Sequence, residues 1–186
     1  MKRFVMFILV LALAIGSVMA LDSMATVGLD YGAMVYSKDP NMEPFNFTGM
    51  QAGLYTYGNE FSSSGFYTQI SFQTMVTEIP SELFTSSLMS VLAGYNHRFA
   101  LGSIVDVLVG GGPSYQMLIA QGLGISGSNS SVGIGASVEV SFLISPKMAI
   151  NAGASAHIGI YDLSGKELIE DIPVTVRPYI AAGFRF

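Results

Sequence analysis

Beyond its first twenty residues this chain has no long hydrophobic run, it has no cysteine at all, and it is poor in charge. No later segment offers the roughly 20 uninterrupted apolar residues of a spanning helix, which argues against a helical membrane protein. The lack of cysteine removes any disulfide framework; it suits an envelope protein held by closed backbone pairing and equally a cytosolic one. Charged residues make up 11% of the chain while apolar residues reach 51%. A typical soluble domain carries about a quarter charged residues, so this balance needs an explanation that no helix supplies.

Basic residues are the scarcest charges, eight Lys and Arg against thirteen Asp and Glu. Two of the eight, Lys2 and Arg3, precede an apolar stretch from Phe4 to Ile15 and a small-residue segment ending at Ala20. That order is the order of an export signal, with cleavage expected after Ala20. An uncleaved anchor helix is the alternative. Residues 21–186 then form one domain, with six basic residues against thirteen acidic and a formal charge of −7. Nucleic acid and anionic membrane surfaces call for basic patches, so neither is expected as a main partner.

What is present after the leader is alternation. Val132, Ile134, Ala136, Val138, Val140 and Phe142 take every second place, with Gly133, Gly135, Ser137, Glu139 and Ser141 between them. The following segment repeats the pattern from Met148 to Ile160, and an earlier one from Phe66 to Val76. Period two is the signature of a strand with two unlike faces. Eight such strands are expected near residues 24–36, 47–58, 65–77, 87–99, 103–116, 131–143, 147–160 and 173–186. The connections alternate long and short, SKDPNMEPFN and LIAQGLGISGSNS among the long, ALGS and SPK among the short. A transmembrane barrel has that asymmetry, with an even strand count that leaves both ends on the periplasmic side. Lipid offers no hydrogen bonds, so a sheet in a bilayer must close. A soluble β-sandwich or lipocalin-like barrel shares the alternation, but the polar face here is Gly, Ser, Asn and Gln rather than the Lys and Glu of a solvated surface.

The chain ends RPYIAAGFRF, with Ile180, Ala182, Phe184 and Phe186 on one face. This resembles the terminal strand by which bacterial outer-membrane barrels are recognised by the barrel-assembly machinery. The segment GYNHRF, Gly94 to Phe99, echoes it internally. In leader, size and ending the chain is similar to the small eight-stranded outer-membrane proteins that include OmpX, OmpW and the OmpA barrel. Ala182 and the Arg177-Pro178 step depart from the most regular ending. The resemblance implies an all-β, eight-stranded, antiparallel up-and-down transmembrane barrel in the outer membrane, in contact with its lipids, and not an enzyme.

The strand parities place Asp30, Asp106 and Glu139 with Arg98, Arg177 and Arg185 on the inner face, where three acids and three bases would form an ion-pair network filling the lumen. A selectivity ring is the alternative reading. Met34, Leu92 and Leu108 on the same face suggest a narrow passive path for small apolar molecules, as in OmpW-like proteins. The expected outward loops hold Asp39, Glu43, Glu78, Glu82, Asp162, Glu167, Glu170 and Asp171 against Lys38 and Lys166, a net of −6. They are expected either to contact a divalent cation or a basic ligand at the cell surface, or to serve solubility alone. His97 and His157 have no companion at metal-ligand spacing, and no cofactor is expected. Ser155 and His157 share a strand face, the one hint of a lipid-modifying enzyme, but neighbours two apart diverge along the pleat and no orienting acid is evident.

Overall fold

A computed structural model describes residues 22–37, 43–58, 62–76, 84–122, 125–165 and 167–186. The expected leader, residues 1–20, lies outside the described residues. The strands are β1 (Asp22–Tyr36), β2 (Phe45–Tyr57), β3 (Ser64–Met75), β4 (Phe84–Ala100), β5 (Val105–Gly122), β6 (Ile125–Ser145), β7 (Met148–Asp162), the two-residue β8 (Glu167–Leu168) and β9 (Pro173–Arg185). Each long strand pairs antiparallel with the next, and β9 lies between β7 and β1, so eight strands close into a barrel. The short β8 only adds to the end of β7, through Tyr161↔Leu168. Closure is completed where the ends meet: Ser23 and Phe186 exchange backbone hydrogen bonds of 3.1 and 2.9 Å. No sheet edge is left in the ring.

The polarity is inverted relative to a soluble protein. Leu29, Met50, Phe66, Phe72, Ile134 and Ile180 are all more than half exposed on the outside. Gln69, Gln73, Ser90, Asn96, Glu139, Asn151 and Thr175 are buried within. An outer surface of this kind has its lowest free energy against hydrocarbon, and a closed backbone ladder is what allows it there.

Strand ends agree with the sequence expectation to within three residues, except where β5 and β6 meet. There the expected long loop LIAQGLGISGSNS is instead a ribbon paired from Leu118↔Asn129 to Gly122↔Ile125. Its Ser and Gly residues carry no apolar face, which is why periodicity reads it as loop; backbone pairing needs none. A crossing takes about 9–11 residues, and β5 and β6 have 18 and 21. The excess carries the hairpin beyond the apolar belt, on the side opposite the chain ends.

Two prolines fall in strand interiors, and each coincides with an interruption of a ladder. The β4–β5 register stops between Leu92↔Ser114 and Tyr95↔Gly111, beside Pro113. The β1–β9 register stops between Asp30↔Tyr179 and Ala33↔Val176, beside Pro178. Proline donates no ladder hydrogen bond. At the first gap the strands come very close: a Cβ on Gly112 would lie 2.3 Å from the Ala93 carbonyl oxygen. Only glycine fits that approach.

Candidate functional site

The inner face is built in layers, because each strand contributes one side chain per two residues to the lumen. At the end holding the chain termini, Arg98 pairs with Asp22 at 2.9 Å and Arg185 with Asp106 at 2.5 Å. Arg98 also stacks over Tyr57, 4.3 Å from the ring centroid, and donates to the Ser62 carbonyl at 3.0 Å. Above these pairs lies a buried cluster of Met24, Tyr55, Tyr57, Tyr67, Leu92 and Leu108. Tyr55 and Tyr67 stack with centroids 5.8 Å apart.

Glu139 sits against this cluster, 1% exposed. Neutral donors hold it: the hydroxyls of Tyr179 at 2.7 Å and Tyr55 at 3.0 Å, and the Asn151 amide at 2.7 Å. The Asn151 oxygen in turn accepts from Ser141 at 3.2 Å. In the next layers Asp30 accepts from Ser71 at 2.5 Å, Arg177 donates to Ser90, and Gln116 exchanges hydrogen bonds of 3.0 and 3.1 Å with Thr175. A second apolar cluster follows, Met34, Phe47 and Leu88, with Tyr36, Phe45, Met75 and Leu118 packed on it.

All six expected lumen charges are on the inner face, but the structure pairs them differently from a six-member network. Asp106 and Arg185 join directly. Arg98 takes Asp22, which alternation does not single out because it lies at the very start of β1. Glu139 takes tyrosines, whose places in the alternation of AGLYTYG and RPYIAAG are the signal that marks them as inward. Met34, Leu92 and Leu108 lie within the two apolar clusters. Ile180, Ala182, Phe184 and Phe186 all face outward. His157 does not engage Ser155: its Nδ1 lies 2.7 Å from Ser114 Oγ and its Nε2 lies 3.3 Å from Ser131 Oγ. Among the described residues no group of three His, Cys, Asp or Glu could hold a metal.

Beyond the second cluster a cavity of about 340 Å³ opens toward the long connections. Met34, Gln116, Leu118 and Ser131 line its inner part, and the segment from Leu168 to Asp171 lines its wall. That segment is tied across the mouth. The Ser37 amide donates to the Ile172 carbonyl at 3.1 Å, the Ile172 amide donates to Ser37 Oγ at 3.0 Å, and the Ile169 amide donates to the Ile160 carbonyl at 3.0 Å.

A closed eight-stranded antiparallel barrel, apolar outside and polar within, is the architecture of the small outer-membrane barrels, and solved structures of that class match it. Neisserial surface protein A shares 13% identity with a TM-score of 0.69, over 88% of this chain and 97% of that one. Ail, the attachment invasion locus protein of Yersinia pestis, shares 16% identity with a TM-score of 0.63, over 90% of this chain and all of that one. OprG from Pseudomonas aeruginosa shares 10% identity with a TM-score of 0.58, over 90% and 97% of the two chains. These similarities are of fold. No curated protein matches the chain by sequence. Residues 9–186 match the family described as a domain of unknown function, DUF2715, and the chain belongs to that family.

Proposed function

We propose that this chain is exported by a cleaved leader, resides in the bacterial outer membrane with its ends toward the periplasm, and acts at the cell surface through its loop end. The observation that carries the reading is the packing of buried side chains at two levels of the lumen. One cluster, Met24 to Leu108, lies near the chain ends, and another, Met34 with Phe47 and Leu88, near the long connections; we read both as closures. In an eight-stranded barrel the interior is only just wide enough for side chains to fill. The passive-path reading rests on Met34, Leu92 and Leu108, and those side chains are parts of the closures. Catalysis by Ser155 and His157 has no geometric support, since His157 is 1% exposed and engaged elsewhere.

Ail has been solved with the heparin analogue sucrose octasulfate, a polyanion. The connections of the present chain carry a net of −6, so charge complementarity favours a cationic ligand instead. Barrel-assembly machinery is the expected partner during biogenesis, reading Ile180, Ala182, Phe184 and Phe186 as an outward-facing terminal strand.

The test has two parts. Protein from isolated outer membranes should migrate differently on gels before and after boiling, because closed barrels resist detergent until heated. Pure protein in planar bilayers should give no single-channel steps. Recovery in the periplasmic fraction without a heat shift would overturn the location, and regular conductance steps would overturn the sealed lumen.

A further inference from the structure

The floor of the loop-end cavity joins polar side chains from four strands. Ser131 of β6 lines the cavity. His157 of β7 turns Nε2 to the Ser131 hydroxyl at 3.3 Å and Nδ1 to the Ser114 hydroxyl of β5 at 2.7 Å. Strand β6 lies between β5 and β7, and its Gly133 and Gly135 stand opposite Ser114 and His157. A Cβ on Gly135 would lie 3.2 Å from the Ser114 Cβ and 2.7 Å from Leu92 Cδ1. The missing side chain lets the imidazole reach across a whole strand.

We propose that Ser131 is a nucleophile activated by His157, and that the cavity holds a small carboxylic ester with an apolar acyl chain. The proposal goes beyond the surface-acting reading and does not depend on the sealed lumen.

A nucleophilic serine needs a base within hydrogen-bond reach, a third group that orients the base, and a donor for the oxygen that gains charge. Donation from Nδ1–H to Ser114 Oγ holds the tautomer in which Nε2 accepts the Ser131 proton. Ser114 carries no charge where the familiar triad has an acid, so turnover is expected to be slow. Gln116 stands opposite Ser131 in the β5–β6 register. Its Nε2 donates one hydrogen to Thr175 at 3.0 Å, which leaves the second for a carbonyl oxygen placed at Ser131. Thr175 lies opposite His157 and completes the set. Met34, Leu118 and Pro173 line the same cavity and meet the acyl chain. The β6–β7 register shifts just after this serine, between Val132 and Gly133, an irregularity of the kind that re-aims a side chain beside a site.

As Ser131 Oγ bonds to the ester carbonyl carbon, its proton passes to His157 Nε2. The bond from that carbon to the alkoxy oxygen then breaks, and the proton leaves with the alcohol. Water entering from the mouth repeats the step: a proton goes to Nε2, the water oxygen bonds to the acyl carbon, and the bond to Oγ breaks as Oγ recovers a proton. One ester and one water become one acid and one alcohol.

The test uses the full mature chain in lipid nanodiscs, with p-nitrophenyl butyrate as substrate and diisopropyl fluorophosphate as covalent probe. Release of p-nitrophenol should exceed that of empty nanodiscs, and mass spectrometry should find a single phosphoryl adduct, on Ser131. Ser131→Ala should abolish both signals, and His157→Gln should slow hydrolysis about a hundredfold or to the background. Ser155→Ala, on the same strand face as His157, should leave the rate unchanged. The heat-dependent gel shift reports the folding of each variant, and labelling of the unaltered chain decides the question even where a variant fails to fold. No adduct, an adduct on another residue, or a rate no faster than empty nanodiscs overturns the esterase and leaves the barrel and its sealed lumen standing.

Discussion

The Tyr179 hydroxyl reaches Glu139 at 2.7 Å across the barrel wall, and it does so over Gly153, where a Cβ would lie 2.7 Å from that same hydroxyl. One strand contributes an absent side chain so that the next can place an aromatic one against a third strand's carboxylate. The arrangement replaces an arginine partner by three neutral donors, and each donor is worth most because the acceptor is ionisable and buried.

Removing one donor should therefore be measurable. Tyr179→Phe is expected to destabilise the barrel by about 1.5–3 kcal/mol, the range for a hydrogen bond to a charged group. Glu139→Gln, which turns one acceptor into a donor facing donors, should cost a similar amount. The double variant should lose less than the sum of the two single losses, because both remove one shared interaction. Equilibrium urea unfolding in phospholipid vesicles reads all three, and full additivity would show that the hydrogen bond contributes nothing.

A second prediction concerns Gly110, above which the Tyr67 ring lies. A Cβ there would meet the Tyr67 ring at 2.6 Å, and no backbone atom is among its closest neighbours. Gly110→Ala should cost about 1–3 kcal/mol by overpacking. In a Tyr67→Ala background the same substitution should cost close to nothing. The same unfolding measurement checks it, and an undiminished cost would mean the clash lies elsewhere.

Arg185 is partly exposed, at 20% of its side chain, while Asp106 is buried, at 8%, so their pair lies between the surface and buried cases. Asp106→Asn alone should destabilise by about 1–3 kcal/mol, since it leaves the arginine with its charge and no counter-charge. Adding Arg185→Met should restore part of the loss. Thermal loss of the compact gel form in matched detergent gives the comparison.

The outer face separates location from exposure. Leu29 and Leu168 are exposed to similar degrees, 63% and 71%. Leu29 lies in the middle of β1, opposite Ile180 and Met50, whereas Leu168 lies in β8 beyond the ring. Leu29→Arg should destabilise the barrel in a bilayer by about 2–4 kcal/mol, and Leu168→Arg by less than about 1 kcal/mol. Equal small costs in lipid vesicles would argue against a lipid-facing belt.

The eight-stranded ring is legible in the amino-acid sequence because its cause is local and repetitive. Alternation from Val132 to Phe142, or from Met148 to Ile160, assigns each side chain to one of two faces, and closed pairing follows from the medium those faces imply. The β5–β6 ribbon is not legible there, since paired backbone outside the apolar belt leaves no mark on side-chain choice. Site residues divide in the same way: parity places Asp30, Arg98, Asp106, Glu139, Arg177 and Arg185 on the inner face, and goes no further.

Period, the face of each residue and the terminal aromatic strand are all written into short stretches of chain, because each depends on neighbours one or two residues away. Which side chains meet across the lumen is settled only by folding. Arg98 reaches Asp22 from 76 positions away and Glu139 reaches Tyr55 from 84. Those separations are bridged only when strand stagger sets the height of each inner side chain, and stagger is a property of the closed ring.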